Sequence, residues 1–146
     1  MITREEVYQI CVTLPLAREL QDLGIEQCSL FYWVLWQTGS WKSKKVNWSL
    51  CTKVEIDWVL QTSHSEPLFA VSAFTVGERG LYLPVGTEIG SSFENKKNVK
   101  FWCKFDARPL GVDRVFMTHG ETEVDARACL RVELIKAAVN LKKRRG

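Results

Sequence analysis

The chain has 146 residues, 46% of them hydrophobic, which suits one domain with a sizeable core rather than a disordered chain. A net charge of +3 with a pI near 8.6 is too mildly basic to imply nucleic acid by itself. No uninterrupted apolar run approaches the roughly 20 residues needed to span a bilayer, so no membrane contact is expected.

Residues 4–12 fit two patterns. Thr3 and Glu6 have capping-box spacing for a short helix, while Tyr8, Ile10 and Val12 alternate with polar residues as in a strand. Residues 14–23 read as an amphipathic helix. Thr13 stands at the N-cap and Pro15 in the first turn, where a missing N–H costs nothing. Leu16, Ala17, Leu20 and Leu23 share a face, and Gly24 ends it.

Residues 29–36 are aromatic and β-branched and read as a strand, followed by a turn at Thr38, Gly39 and Ser40. Residues 45–50 return, with Val46, Trp48 and Leu50 on one side. Residues 53–60 place Val54, Ile56 and Trp58 opposite Lys53, Glu55 and Asp57, which predicts a third strand or part of a long loop. Residues 61–67 read as a loop. Thr75 and Glu78 then form a capping box for a short helix through Val76, Leu81 and Leu83, weakened by Gly77 and Gly80 and stopped by Pro84 and Gly86.

Residues 90–93, 99–105 and 114–118 read as strands, with a hairpin at Asn95-Lys96-Lys97-Asn98. Val99, Phe101, Cys103 and Phe105 share one face; Lys100, Trp102 and Lys104 share the other. Arg108 to Gly111 reads as a loop. The last helix starts at the N-cap Thr122, has Glu123 and Asp125 in its first turn, and runs to about Leu141. Ala126, Leu130, Leu134, Ala137 and Leu141 form one apolar stripe. Ala128, Val132, Ile135 and Val139 form another on nearly the opposite side. Such a helix is either central in the fold or covered on its back by a second chain.

Three segments carry a resemblance. Leu16-Ala17 through Leu20, Gly24 and Ser29-Leu30-Phe31-Tyr32-Trp33 is one; Ser72-Ala73-Phe74-Thr75 through Pro84 is the second; Glu121-Thr122-Glu123-Val124-Asp125-Ala126-Arg127-Ala128 is the third. In this order they resemble a family of small phage- and prophage-type proteins of unknown function. Gly77 and Arg79 stand where that family usually has alanine and leucine. The resemblance implies a phage or mobile-element origin and a shared α+β fold, and no activity.

Residues with chemical potential are scattered. The five cysteines (Cys11, Cys28, Cys51, Cys103, Cys129) include no CxxC pair, their number is odd, and the acidic start of the chain is unlike a signal peptide. Free, mostly buried thiols in a reducing cytoplasm (the host's, if phage-encoded) are expected. His64 and His119 lie far apart with no ligand spacing, and are read as exposed imidazoles. A Cys–His pair can be drawn through Cys51 or Cys103, but Cys103 falls on the apolar side of its strand. No GxSxG, P-loop or GxGxxG is present. Glu121, Glu123 and Asp125 are explained by a helix start, and Glu55 and Asp57 by a solvated strand face. No catalytic residue, metal ligand or cofactor is expected.

Six tryptophans (Trp33, Trp36, Trp41, Trp48, Trp58, Trp102) accompany lysines including Lys42, Lys44, Lys45 and Lys97. Strand aromatics between lysines suit single-stranded nucleic acid, although core tryptophans and edge lysines account for most of them. Trp102 between Lys100 and Lys104 is the exception: either a binding site or the seat of the last helix. Lys142, Lys143, Arg144 and Arg145 complete that helix electrostatically and also suit phosphate.

The expected object is one α+β domain over residues 1–141 with a basic tail at 142–146. Its mostly antiparallel twisted sheet is packed by the long C-terminal helix, with two short helices nearby. The expected role is a non-enzymatic protein-interaction module, with a homodimer among the partners. The alternative is a nucleic-acid-binding protein using Trp102, Lys100, Lys104 and the basic residues 142–145.

Overall fold

In the computed structural model, residues 4–39, 45–62, 65–95 and 98–145 are described. Thr3, Ser40, Trp41, Lys42, Lys44, His64, Lys96 and Lys97 lie outside the described residues, as do the side chains of 93–99 and 139–146. The chain is α+β. Two short helices, α1 (Arg4–Ile10) and α2 (Leu14–Asp22), precede the hairpin of β1 (Phe31–Thr38) and β2 (Lys45–Thr52). Helix α3 (Lys53–Thr62) follows, then β3 (Glu66–Ser72). A second group of strands comprises β4 (Glu88–Asn95), β5 (Asn98–Asp106) and β6 (Val115–Gly120), and α4 (Glu123–Arg145) ends the chain.

The strands form two three-stranded antiparallel sheets, β2-β1-β3 and β4-β5-β6, in place of the single sheet expected. The reason lies in α4. Val124, Ala128 and Val132 pack with Val12, Ala17, Leu20, Val71, Phe74 and Leu81 on the side of the first sheet. Ala126 and Leu130, flanked by Leu134 and Ala137, pack on Cys103, Phe105, Ala107 and Phe116 of the second. Ala128 and Val132 of one stripe and Ala126, Leu130, Leu134 and Ala137 of the other thus meet separate clusters within the chain, and α4 packs on two sides.

Segment 4–12, which fitted either pattern, is helical over Arg4–Ile10. Cys11 and Val12 then leave the helix and are buried, and the Val12 N–H bonds to the Phe74 carbonyl at 3.0 Å. Helix α2 begins as predicted, but Thr13 makes no side-chain cap. Its backbone N–H donates instead to Asp125 Oδ1 at 3.0 Å, tying the start of α2 to the first turn of α4. Thr122 does cap α4, accepting the Asp125 N–H at 3.2 Å. Trp33 belongs to the core side: its indole N–H donates to the Val12 carbonyl at 2.9 Å.

Asp125 is buried, and its carboxyl is pushed above the usual range, first by burial and against the hydrogen bonds from Thr13. The folded form therefore holds this proton more tightly than the unfolded chain. Its contribution to stability is greatest in acid and is lost as pH rises through the folded-state value. Asp125→Asn removes that contribution while keeping an acceptor oxygen for Thr13. Asp125→Ala orphans the N–H and is expected to cost about 1–3 kcal/mol. Urea unfolding of the three proteins between about pH 3 and pH 7 checks both. An Asn variant with the wild-type pH slope contradicts the first expectation.

Four expectations differ. Residues 53–60 form α3 rather than a strand or loop. The segment after Thr75 is only a turn followed by a 3-10 turn at Arg79–Leu81. Strand β3 begins at Glu66, inside the expected loop. The expected basic tail is helical too, because α4 continues through Arg145.

Candidate interaction surface

Strand β2 passes into α3 without a loop because Thr52 and Glu55 form a reciprocal capping box. Thr52 Oγ1 accepts the Glu55 N–H at 3.1 Å. Glu55 Oε1 accepts the Thr52 N–H at 3.3 Å and its hydroxyl at 3.1 Å. At the other end, the Thr62 hydroxyl donates to the Trp58 carbonyl at 2.7 Å. Thr-x-x-Glu was legible here, but the alternation of Val54, Ile56 and Trp58 masked it.

Ile56 and Val59 lie half-buried against Val34, Trp36, Cys51 and Tyr32 on the outer face of the first sheet. No α3 residue is fully buried. At 100° per residue, Val54, Trp58 and Gln61 lie on the side away from Ile56 and Val59. Val54 is 77% exposed, Trp58 64%, and Leu60, on the flank, 52%. Helix α3 is therefore apolar on the side that is covered and on the side that is not. Nearby on edge strand β3, Leu68 is the extra residue of the bulge at Leu35/Trp36, and it and Phe69 are exposed. Pro67 on the same strand has no N–H to offer another strand.

The second sheet has one covered and one uncovered face. Cys103, Phe105 and Phe116 face α4. Trp102 lies across from Gly90 on β4 and His119 on β6; Lys104 lies across from Glu88 and Met117; Lys100 lies across from Ser92. Trp102 is thus not the seat of the last helix. A Cβ on Gly90 would stand 2.3 Å from Trp102 Cζ2, so the indole occupies the space over the glycine. Trp102 is half-buried beside its two lysines. The backbone of residues 142–145 belongs to the helix on the opposite side of this sheet, so the two halves of the expected basic surface are not brought together. Glu88 and Asp106 share the lysine side, and Asp106 is held down to about 2 by Arg108, with a smaller effect of Lys104.

All five cysteines are free, and Cys28 is exposed. Burial pushes the Cys11 thiol up to about 12 and Cys103 to about 11, and it raises Cys129 as well, so these thiols stay protonated at neutral pH. His119 is exposed on the second sheet, across from Trp102. Among the described residues no three His, Cys, Asp or Glu side chains are grouped to hold a metal ion. Among them, too, no helix is long and apolar enough to cross a membrane. No family model, curated protein or solved structure matches the chain.

Proposed function

We propose that the chain is a non-enzymatic accessory protein of phage or mobile-element type that acts by docking a protein partner through the outer face of α3. The observation that carries the reading is the exposed Val54–Trp58 pair on a helix apolar on both sides. Apolar residues at i and i+4 are the anchors by which a helix enters a partner's apolar groove, and tryptophan is prominent among residues that dominate binding energy. The phage-type assignment is supported by the three resembling segments. They converge on one core through Leu20, Phe74, Leu81, Val124 and Ala128, which makes them marks of a fold rather than of a site.

The test is the double variant Val54→Lys, Trp58→Lys. Neither side chain is buried, so stability should stay within about 0.5 kcal/mol of wild type. Capture of the partner from an extract of the source organism should be lost. A partner retained by the folded variant at wild-type yield refutes the surface. Light scattering separates the occupants: a wild-type dimer that the variant converts to monomer makes the partner a second copy.

The second reading, nucleic-acid binding, is favoured by the half-buried Trp102 between Lys100 and Lys104 on an uncovered sheet face. It predicts a mobility shift at low salt that weakens as salt rises and is lost in Trp102→Ala. No shift at low salt removes it.

A further inference from the structure

Between its two apolar stripes, one flank of α4 carries Arg127 and Arg131. Arg127 is answered from within the helix: its Nη2 and Nε donate to Glu123 Oε1 at 3.0 and 3.3 Å. Arg131 is not. The residue four before it is Arg127 and the residue four after it is Ile135, so helical spacing supplies no acid. Among the described residues it has no ion pair, and its Nε is shut off from water with no hydrogen-bond partner.

Arg131 lines an open cleft of about 530 Å³ with Ile25, Glu26, Cys28, Glu78 and Gly80. Glu78 is near but committed elsewhere. Its Oε1 accepts the Thr75 N–H at 2.8 Å and the Thr75 hydroxyl at 3.0 Å, and its Oε2 accepts the Leu30 N–H at 3.1 Å. It fastens the wall of the cleft to β1 and leaves the arginine unanswered.

We propose that this cleft binds a small ligand bearing a carboxylate, received by Arg131. A planar carboxylate accepts two parallel N–H bonds from the two terminal nitrogens of the guanidinium, which are not shut off as Nε is. The acids Glu26 and Glu78 in the same lining set a monoanion above a dianionic phosphate, and Ile25 offers apolar wall to an aliphatic body. The site is separate from α3 and stands whether or not a protein docks there.

Cys28 reports on the cleft. It lines it and is exposed, while Cys11, Cys51 and Cys103 are buried. The experiment follows N-ethylmaleimide modification of Cys28 by mass spectrometry, with hexanoate, hexylamine or inorganic phosphate as the probe. Hexanoate is expected to slow modification severalfold, and hexylamine to leave the rate unchanged. Arg131→Lys, which keeps the charge but not the fork, is expected to weaken hexanoate about tenfold. Arg131→Met should abolish protection. Absence of protection by hexanoate in the wild type overturns the proposal, as does equal protection in a folded Arg131→Lys and wild type. Stronger protection by phosphate than by hexanoate overturns the carboxylate assignment. The wild-type and lysine arms decide the matter even where the methionine variant fails to fold.

Discussion

Phe74→Ala is expected to lower the free energy of unfolding by about 4 kcal/mol, near the middle of the range for emptying a buried phenylalanine site. Phe74 is fully buried in the larger core cluster, which holds Val12 beyond α1, Ala17 and Leu20 of α2, Val71 of β3, Leu81, and Val124, Ala128 and Val132 of α4. Its ring also rests on Gly80, where an added Cβ would stand 2.4 Å from the ring carbons. Gly80→Ala alone is therefore expected to cost about 2 kcal/mol by overpacking. The same change in the Phe74→Ala background should cost close to nothing, because the obstructing ring is gone. Denaturant unfolding of the two single variants and the double variant gives the coupling. Additive costs would show that the ring and the glycine do not share that space.

Gly120→Ala is the second large expected effect, about 3 kcal/mol, at the upper end of overpacking costs. The new Cβ would lie 2.5 Å from the Ala126 nitrogen and 3.0 Å from the Asp125 carbonyl carbon. These are backbone atoms in the first turns of α4, and a rotamer change cannot move them. The same junction holds the Thr118 hydroxyl on the Ala126 carbonyl at 2.8 Å, so a shift of β6 away from α4 also strains a buried hydrogen bond. Gly77→Ala is the matched control: nothing lies within 4 Å of its added Cβ, and its φ is not in the left-handed region. It should be neutral or slightly stabilising. Similar thermal shifts for the two variants would contradict the steric account.

Much of the frame was readable before any coordinates. The helix at 14–23, the strands around 29–36, 45–50 and 99–105, and the N-cap Thr122 follow from short-range patterns, and all appear with shifts of a residue or two at their ends. The covered face of β5 was readable as well, since Cys103 and Phe105 alternate with Trp102 and Lys104. Strand β3 escaped because Pro67 and exposed Leu68, Phe69 and Ala70 carry no clean alternation; pairing with β1 makes it a strand. The candidate surface on α3 was missed with its helix. Arg131 gave no signal, because its lack of an acid matters only once a cleft opens beside it.

Two identical local signals show where the sequence stops deciding. Thr52-x-x-Glu55 and Thr75-x-x-Glu78 have the same capping-box spacing. The first starts a helix of 10 residues, because Thr52 Oγ1 takes the Glu55 N–H and no glycine follows. At the second, the Glu78 N–H bonds to the Thr75 carbonyl, closing a turn, and the other carboxylate oxygen is claimed by Leu30. Gly80 lies there because Phe74 needs the room, and the helix ends as a 3-10 turn.

The chain alone determined that α4 would be apolar on two sides, since residue spacing fixes which side chains share a stripe. Only the tertiary structure decided that the β4-β5-β6 sheet covers one stripe, that α2 with Phe74 and Leu81 covers Ala128 and Val132 of the other, and that α3 keeps an exposed apolar side. Which surface stays bare depends on how distant segments pack, and a local pattern carries no record of that.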